Sequence, residues 1–123
     1  MDNKDLRNAP RLPVRIPLRV RLIKSPIDEK LDSELHNGNN VMSNMSRTGF
    51  FLSTKNYFEI NSVIEVEFPM EQFDEVIKAE AEVVRANHQN FPNHGRYEYG
   101  LRYVSMHPHF REVLNKFFNL MGG

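Results

Sequence analysis

Two short stretches of the chain carry side chains that could hold an anion. Near the start, Arg7 and Arg11 are spaced as RxxxR, and Arg15 repeats that spacing from Arg11. A guanidinium is planar and permanently charged, and its fixed fork of donors meets two phosphate oxygens at once. Farther on, Asn44, Ser46 and Gly49 stand in Asn-Met-Ser-Arg-Thr-Gly. An amide offers a donor and an acceptor, and a hydroxyl offers both from one atom. A glycine lets the backbone turn tightly, or approach a neighbour where a Cβ would block it.

No nucleophile with an adjacent base, no Gly-rich phosphate loop and no HExxH can be assembled, so the chain is expected not to be an enzyme. Five histidines occur, of which His107 and His109 flank Pro108 at a helix start, and neither a metal nor a cofactor is expected. The chain has no cysteine. It also has no apolar run near the roughly 18 residues a spanning helix needs. With no signal-peptide pattern in Met1–Arg11, a cytoplasmic location is expected.

The 123 residues suit one domain. Net charge is zero, yet residues 1–24 hold seven cationic side chains against Asp2 and Asp5, a local +5. A basic arm on a mildly acidic body suggests an anionic ligand or partner.

Period-two alternation marks the elements that must position these residues. Val14, Ile16, Leu18, Val20 and Leu22 form one apolar face of a first strand, and Pro13 and Pro17 place its start at an edge or bulge. Further strands are predicted near 40–43, 49–53, 63–68 (ended by Pro69), 78–85 and 97–103, separated by polar stretches at 24–40 and 87–95. Tyr97, Tyr99 and Tyr103 read as packing residues. Arg85 and Arg102, near strand ends, are weaker site candidates. The period then changes: Phe110, Val113, Leu114, Phe117, Phe118 and Met121 form a helical stripe, begun by Pro108 and stopped by Gly122 and Gly123. The reading is mostly β: six antiparallel strands in a barrel covered by one C-terminal helix. Residues 1–13 are expected to be a flexible basic arm, and 14–123 a single barrel domain with its helix at about 108–121.

The two motifs, in this order with a strand between them, resemble the PilZ family. The resemblance extends through Asn-Met-Ser-Arg-Thr-Gly-Phe-Phe-Leu (44–52), Glu-Phe-Pro (67–69), Glu-Val-Val-Arg (82–85), Tyr-Gly-Leu-Arg-Tyr (99–103) and the closing helix. It implies a six-stranded barrel with a C-terminal helix and, in many members, binding of cyclic di-GMP. Carried over residue by residue, the ligand set is Arg7, Arg11, Arg15, Asn44, Ser46 and Gly49. Arg11 belongs to either arginine pair, Arg7/Arg11 or Arg11/Arg15; Pro10 before it and Pro13 after it favour the first. Leu6 stands where many relatives have another arginine, and Asn44 stands for the commoner Asp. The chemistry is compatible, since an arginine fork matches the O6/N7 edge of guanine as well as phosphate. A lone receptor domain needs an unidentified protein partner downstream. Two alternatives differ in class: a degenerate PilZ interaction module that binds no nucleotide, and a small nucleic-acid-binding barrel, which the zero net charge and the lack of Trp disfavour.

Overall fold

The computed structural model describes residues 12–26, 40–87 and 96–121. The expected basic arm up to Arg11, most of the long polar stretch (27–39), the turn at 88–95 and the two terminal glycines lie outside these residues. The strands are β1 (Leu12–Pro17), β2 (Arg19–Lys24), β3 (Val41–Met45), β4 (Gly49–Thr54), β5 (Val63–Met70), β6 (Glu75–Ala86) and β7 (Tyr97–Met106). They are followed by helix α1 (Pro108–Leu120). All seven form one antiparallel sheet in the order β1-β3-β4-β7-β6-β5-β2.

The sheet begins and ends on consecutive pieces of chain. The predicted first strand is real, but it divides at Leu18: its first half pairs with β3 and its second half with β5. The sheet therefore curls into a barrel whose two edges are joined by one residue, which is why seven strands stand where six are expected. The division has a local cause. Pro17 cannot donate to a ladder, so pairing is interrupted there. The next N–H, that of Leu18, donates instead to the carbonyl of buried Asn40 at 3.0 Å. Pro13 and Pro17 both lie on the edge strand β1, as the missing donors require.

Alternation holds around the barrel. Val20, Leu22, Ile64, Val66, Phe68, Ile77, Ala79, Ala81, Val83, Leu101 and Tyr103 point into one core with Met42, Met45 and Leu52. Two expectations need correction. Pro69 does not end β5, which runs on to Met70 opposite Glu75. Past Glu67 only β6 pairs with it, so backbone donors on the other side have no strand to meet, and a proline is tolerated. Met121 lies outside the core at 53% exposure, because the helix ends one residue earlier.

Helix α1 buries Val113, Leu114, Phe117 and Phe118. His107 caps its start, with Nδ1 accepting from the His109 N–H at 3.0 Å, and Pro108 occupies the first turn, where its missing donor costs nothing. His109 Nε2 lies 2.8 Å from Glu75 Oε2, tying the helix start to β6. Among the described residues no group of His, Asp or Glu is arranged to hold a metal, and no helix is long and apolar enough to cross a membrane.

The predicted packing tyrosines are accounted for. Tyr99 is buried and its hydroxyl accepts from the Phe58 N–H at 2.8 Å. Tyr103 stacks obliquely on Phe50 at 5.4 Å, but its buried hydroxyl finds no hydrogen-bond partner among the described residues. Burial pushes both phenols above their ordinary range. An unpaired buried polar group costs about 1–3 kcal/mol. Tyr103→Phe is therefore expected to raise unfolding free energy by about 1 kcal/mol in urea denaturation at neutral pH. The neutral phenol is the form favoured by folding, so its contribution is intact below about pH 10 and is lost as pH climbs beyond that. The variant is expected to lose less stability than the wild-type chain between neutral pH and pH 11.

Candidate functional site

The turn between β3 and β4 is built by Ser46. Its N–H donates to the Gly49 carbonyl at 2.9 Å. Its Oγ accepts from the N–H groups of Thr48 and Gly49 at 3.2 and 3.3 Å, and lies 3.2 Å from the Thr48 hydroxyl. This is the hydroxyl-to-backbone pattern by which serine folds a turn on itself. The Ser46 side chain thus holds the turn, and its bonding capacity is largely used there.

Gly49 is required by a close approach. A Cβ at this position would lie 2.0 Å from the carbonyl oxygen of Leu101. Only glycine lets β4 begin flush against β7, an arrangement sealed by the Tyr103 N–H donating to the Thr48 carbonyl at 2.9 Å. The far side of the turn is fastened to the helix. Arg47 donates to Asn115 Oδ1 at 2.9 Å and Asn119 Oδ1 at 3.3 Å, with its guanidinium 5.3 Å from the Phe118 ring centre. Arg111 donates back to the Arg47 carbonyl at 2.8 Å.

The outer face beside this turn carries a row of residues that no single motif contains. Asn44 pairs with Phe51, Phe51 with Gly100, and Gly100 with Arg85. With strands about 4.8 Å apart, the row crosses about 14 Å of sheet. Two register shifts aim its ends. One lies between Met42 and Asn44, the other between Val83 and Arg85. Each inserts an extra residue, as a β-bulge does, and re-phases the strand so that Asn44 and Arg85 face outward together. Gly100 leaves the middle open.

Two grooves flank the row and share its four residues. One, of about 160 Å³, is also lined by Ser46, Thr48, Gly49 and Arg102. The other, of about 470 Å³, is also lined by Ser43, Asn87, Glu98 and Tyr99. Arg102 is paired with Glu82 at 2.5 Å. Arg85 makes no hydrogen bond or ion pair to any described residue; its guanidinium rests 5.8 Å from the centre of the Phe51 ring. The Asn44 amide is likewise without a hydrogen bond to a described residue.

A PilZ domain model matches residues 5–119. The chain belongs to the PilZ family. Among curated proteins none matches this PilZ chain in sequence. Two solved structures share its fold. The Bacillus subtilis inhibitor of motility (MotI/DgrA) is 16% identical with a TM-score of 0.60, over 87% of this chain and 46% of that one. MrkH, described as a novel c-di-GMP-dependent transcription regulatory factor, is 13% identical with a TM-score of 0.61, over 91% of this chain and 49% of that one. The chain thus spans about half the length of each.

Of the site residues read from sequence, Asn44, Ser46 and Gly49 lie together on the first groove. Arg15 is exposed on β1 and lines neither groove. Arg7 and Arg11 lie outside the described residues. The sequence reading did not place Phe51, Gly100 and the weaker candidate Arg85 beside them, because the bulge that turns Arg85 outward leaves no mark in the alternation.

The two glycines separate stability from groove shape. Gly49→Ala is expected to lower unfolding free energy by about 3 kcal/mol in urea denaturation, because backbone must move. A Cβ at position 100 would meet only ordinary contacts, 3.4 Å to Phe51 and 3.6 Å to Arg85. Gly100→Ala is expected to shift stability by less than about 1 kcal/mol in the same measurement, while filling the floor of the groove.

Proposed function

We propose that this PilZ domain is a non-catalytic receptor for cyclic di-GMP that passes the signal to a protein partner. The observation that carries the reading is the outward row beside the Ser46–Gly49 turn, with the Asn44 amide at one end and the uncompensated Arg85 guanidinium at the other. β1 enters the sheet at this same place, with Leu12 opposite Met45 and Pro13 opposite Asn44. The RxxxR pair directly precedes Leu12 in the sequence, which supports assigning it to this site.

Roles divide by chemistry. Arg7 and Arg11 supply forks for phosphate oxygens and for the guanine O6/N7 edge, with Arg15 in reserve as the second member of the alternative pair. Asn44 bonds a base edge or phosphate. Ser46 and Gly49 act by holding the turn that presents Asn44. The two solved neighbours support the reading, one as a c-di-GMP-dependent regulator and the other as an inhibitor of motility. The proposed site of action is the cytoplasm, where no cofactor or metal is needed.

Magnitudes agree. Micromolar binding requires about −8 kcal/mol. Two charge-assisted arginine contacts at roughly 1.5–3 kcal/mol each, a polar bond and one stacked base at about 1–3 kcal/mol reach that value after ordering costs.

Calorimetric titration with cyclic di-GMP tests the reading. The expected result is saturable binding at micromolar or tighter affinity, absent for GMP, lost in Arg11→Ala and weakened at least about tenfold in Asn44→Ala. No heat and no thermal shift at high ligand concentration would overturn it and leave an interaction module that binds no nucleotide.

A further inference from the structure

We propose that the second groove is a guanine-reading subsite in which Glu98 selects the base. The inference rests on the cyclic di-GMP reading above and adds the residue that sets its specificity.

The groove holds one carboxylate, Glu98, on the outer face of β7, two residues before Gly100 and opposite Ser53. That carboxylate has no cationic partner among the described residues. Its one hydrogen bond there is a long one, 3.4 Å, from Asn87 Nδ2 to Oε1. Elsewhere on the sheet Glu65 is matched with Arg21, Glu67 with Arg19 and Lys78, and Glu82 with Arg102, while Glu80, which has no ion pair, lies in a groove that also holds Lys78. An unmatched carboxylate in a groove of about 470 Å³, within the roughly 300–1,000 Å³ range of small-molecule sites, calls for a donor from outside the protein.

An ionised carboxylate only accepts hydrogen bonds. Guanine presents N1–H and an N2 amino group side by side, so its Watson–Crick edge gives two parallel donors to two carboxylate oxygens. Adenine puts a lone pair at N1, which faces the carboxylate unfavourably. Hypoxanthine keeps N1–H and lacks the N2 amino group. Glu98 is thus matched to guanine and mismatched to adenine.

A carboxylate also repels the two phosphates of the ligand. Arg85, shared by both grooves, offsets that repulsion from its place on the Phe51 ring. The two residues therefore have different signatures. Glu98 governs which base is accepted, and Arg85 governs how tightly any cyclic dinucleotide is held.

The test is calorimetric titration of the full chain with cyclic di-GMP, cyclic di-IMP and cyclic di-AMP, for the wild type, Glu98→Gln and Arg85→Ala, with melting curves for each. Both side chains are exposed, so the variants are expected to melt with the wild type. Glu98→Gln should weaken cyclic di-GMP roughly 5- to 150-fold, the range for one bidentate base contact, and leave cyclic di-AMP unchanged or tighter because a repulsive charge is gone. Arg85→Ala should weaken all three in similar proportion. If Glu98→Gln binds cyclic di-GMP as tightly as the wild type does, the subsite assignment is overturned while the receptor reading stands. If the wild-type chain binds none of the three, the receptor reading has failed and the subsite fails with it.

Discussion

The site depends on one close approach, the backbone of Gly49 against the carbonyl of Leu101. It brings the end of the β3–β4 turn down onto β7, where Tyr103 can donate to Thr48. With the turn seated there, its other side meets the helix, and Arg47 and Arg111 stitch the two together through Asn115, Asn119 and the Arg47 carbonyl. Any side chain at position 49 would lift the turn away from β7, and with it the anchor for α1 and the direction of Asn44. A residue that contributes no functional group thus governs where the functional groups stand.

Much of this was legible in the sequence, for physical reasons that differ by element. Strand positions follow from strict alternation, which exists because one face of each strand must be buried. The helix follows from the change to a 3.6-residue period at Phe110. Gly49 stood out as the last residue of the Asn-x-Ser-x-x-Gly pattern that resembles the PilZ family, where a glycine permits a tight turn or a close approach. The division at Leu18 was not legible, since the alternation of Val14 to Leu22 passes through it unbroken; a change of partner leaves inward and outward faces as they were. The bulges in β3 and β6 were hidden for the opposite reason. They break the phase by a single residue, and only the pairing partners show which way the strand resumes. Arg85 therefore reads as a solvated strand-end cation in sequence and as a groove residue in the fold. Ser46 carries the converse lesson: its type fits a ligand contact, while its surroundings commit it to the turn.

The zero net charge also takes on structure. Cations and carboxylates on the outer face of β2, β5 and β6 stand opposite one another, Arg21 with Glu65 and Arg19 with Glu67 and Lys78. Such exposed pairs contribute at most about 1 kcal/mol each. Their larger effect is to leave that wall without a strong field. Beside the Phe51–Gly100 row, by contrast, a cation and a carboxylate without an ion pair sit on either side of an aromatic floor.

The shared strand β1–β2 has a consequence for the order in which the molecule assembles. The pairs β3–β4, β5–β6 and β6–β7 are each neighbours in sequence and can zip locally. Residues 12–24 have no such neighbour: one half must await β3, the other must await β5, and loop closure makes contacts of that separation slow. The β4–β7 pair spans a comparable separation, and only when both halves of 12–24 have found their partners as well is the barrel closed. The segment works as a seam, and until it closes, the ladder donors of β3 and β5 that it will cover stay open to solvent.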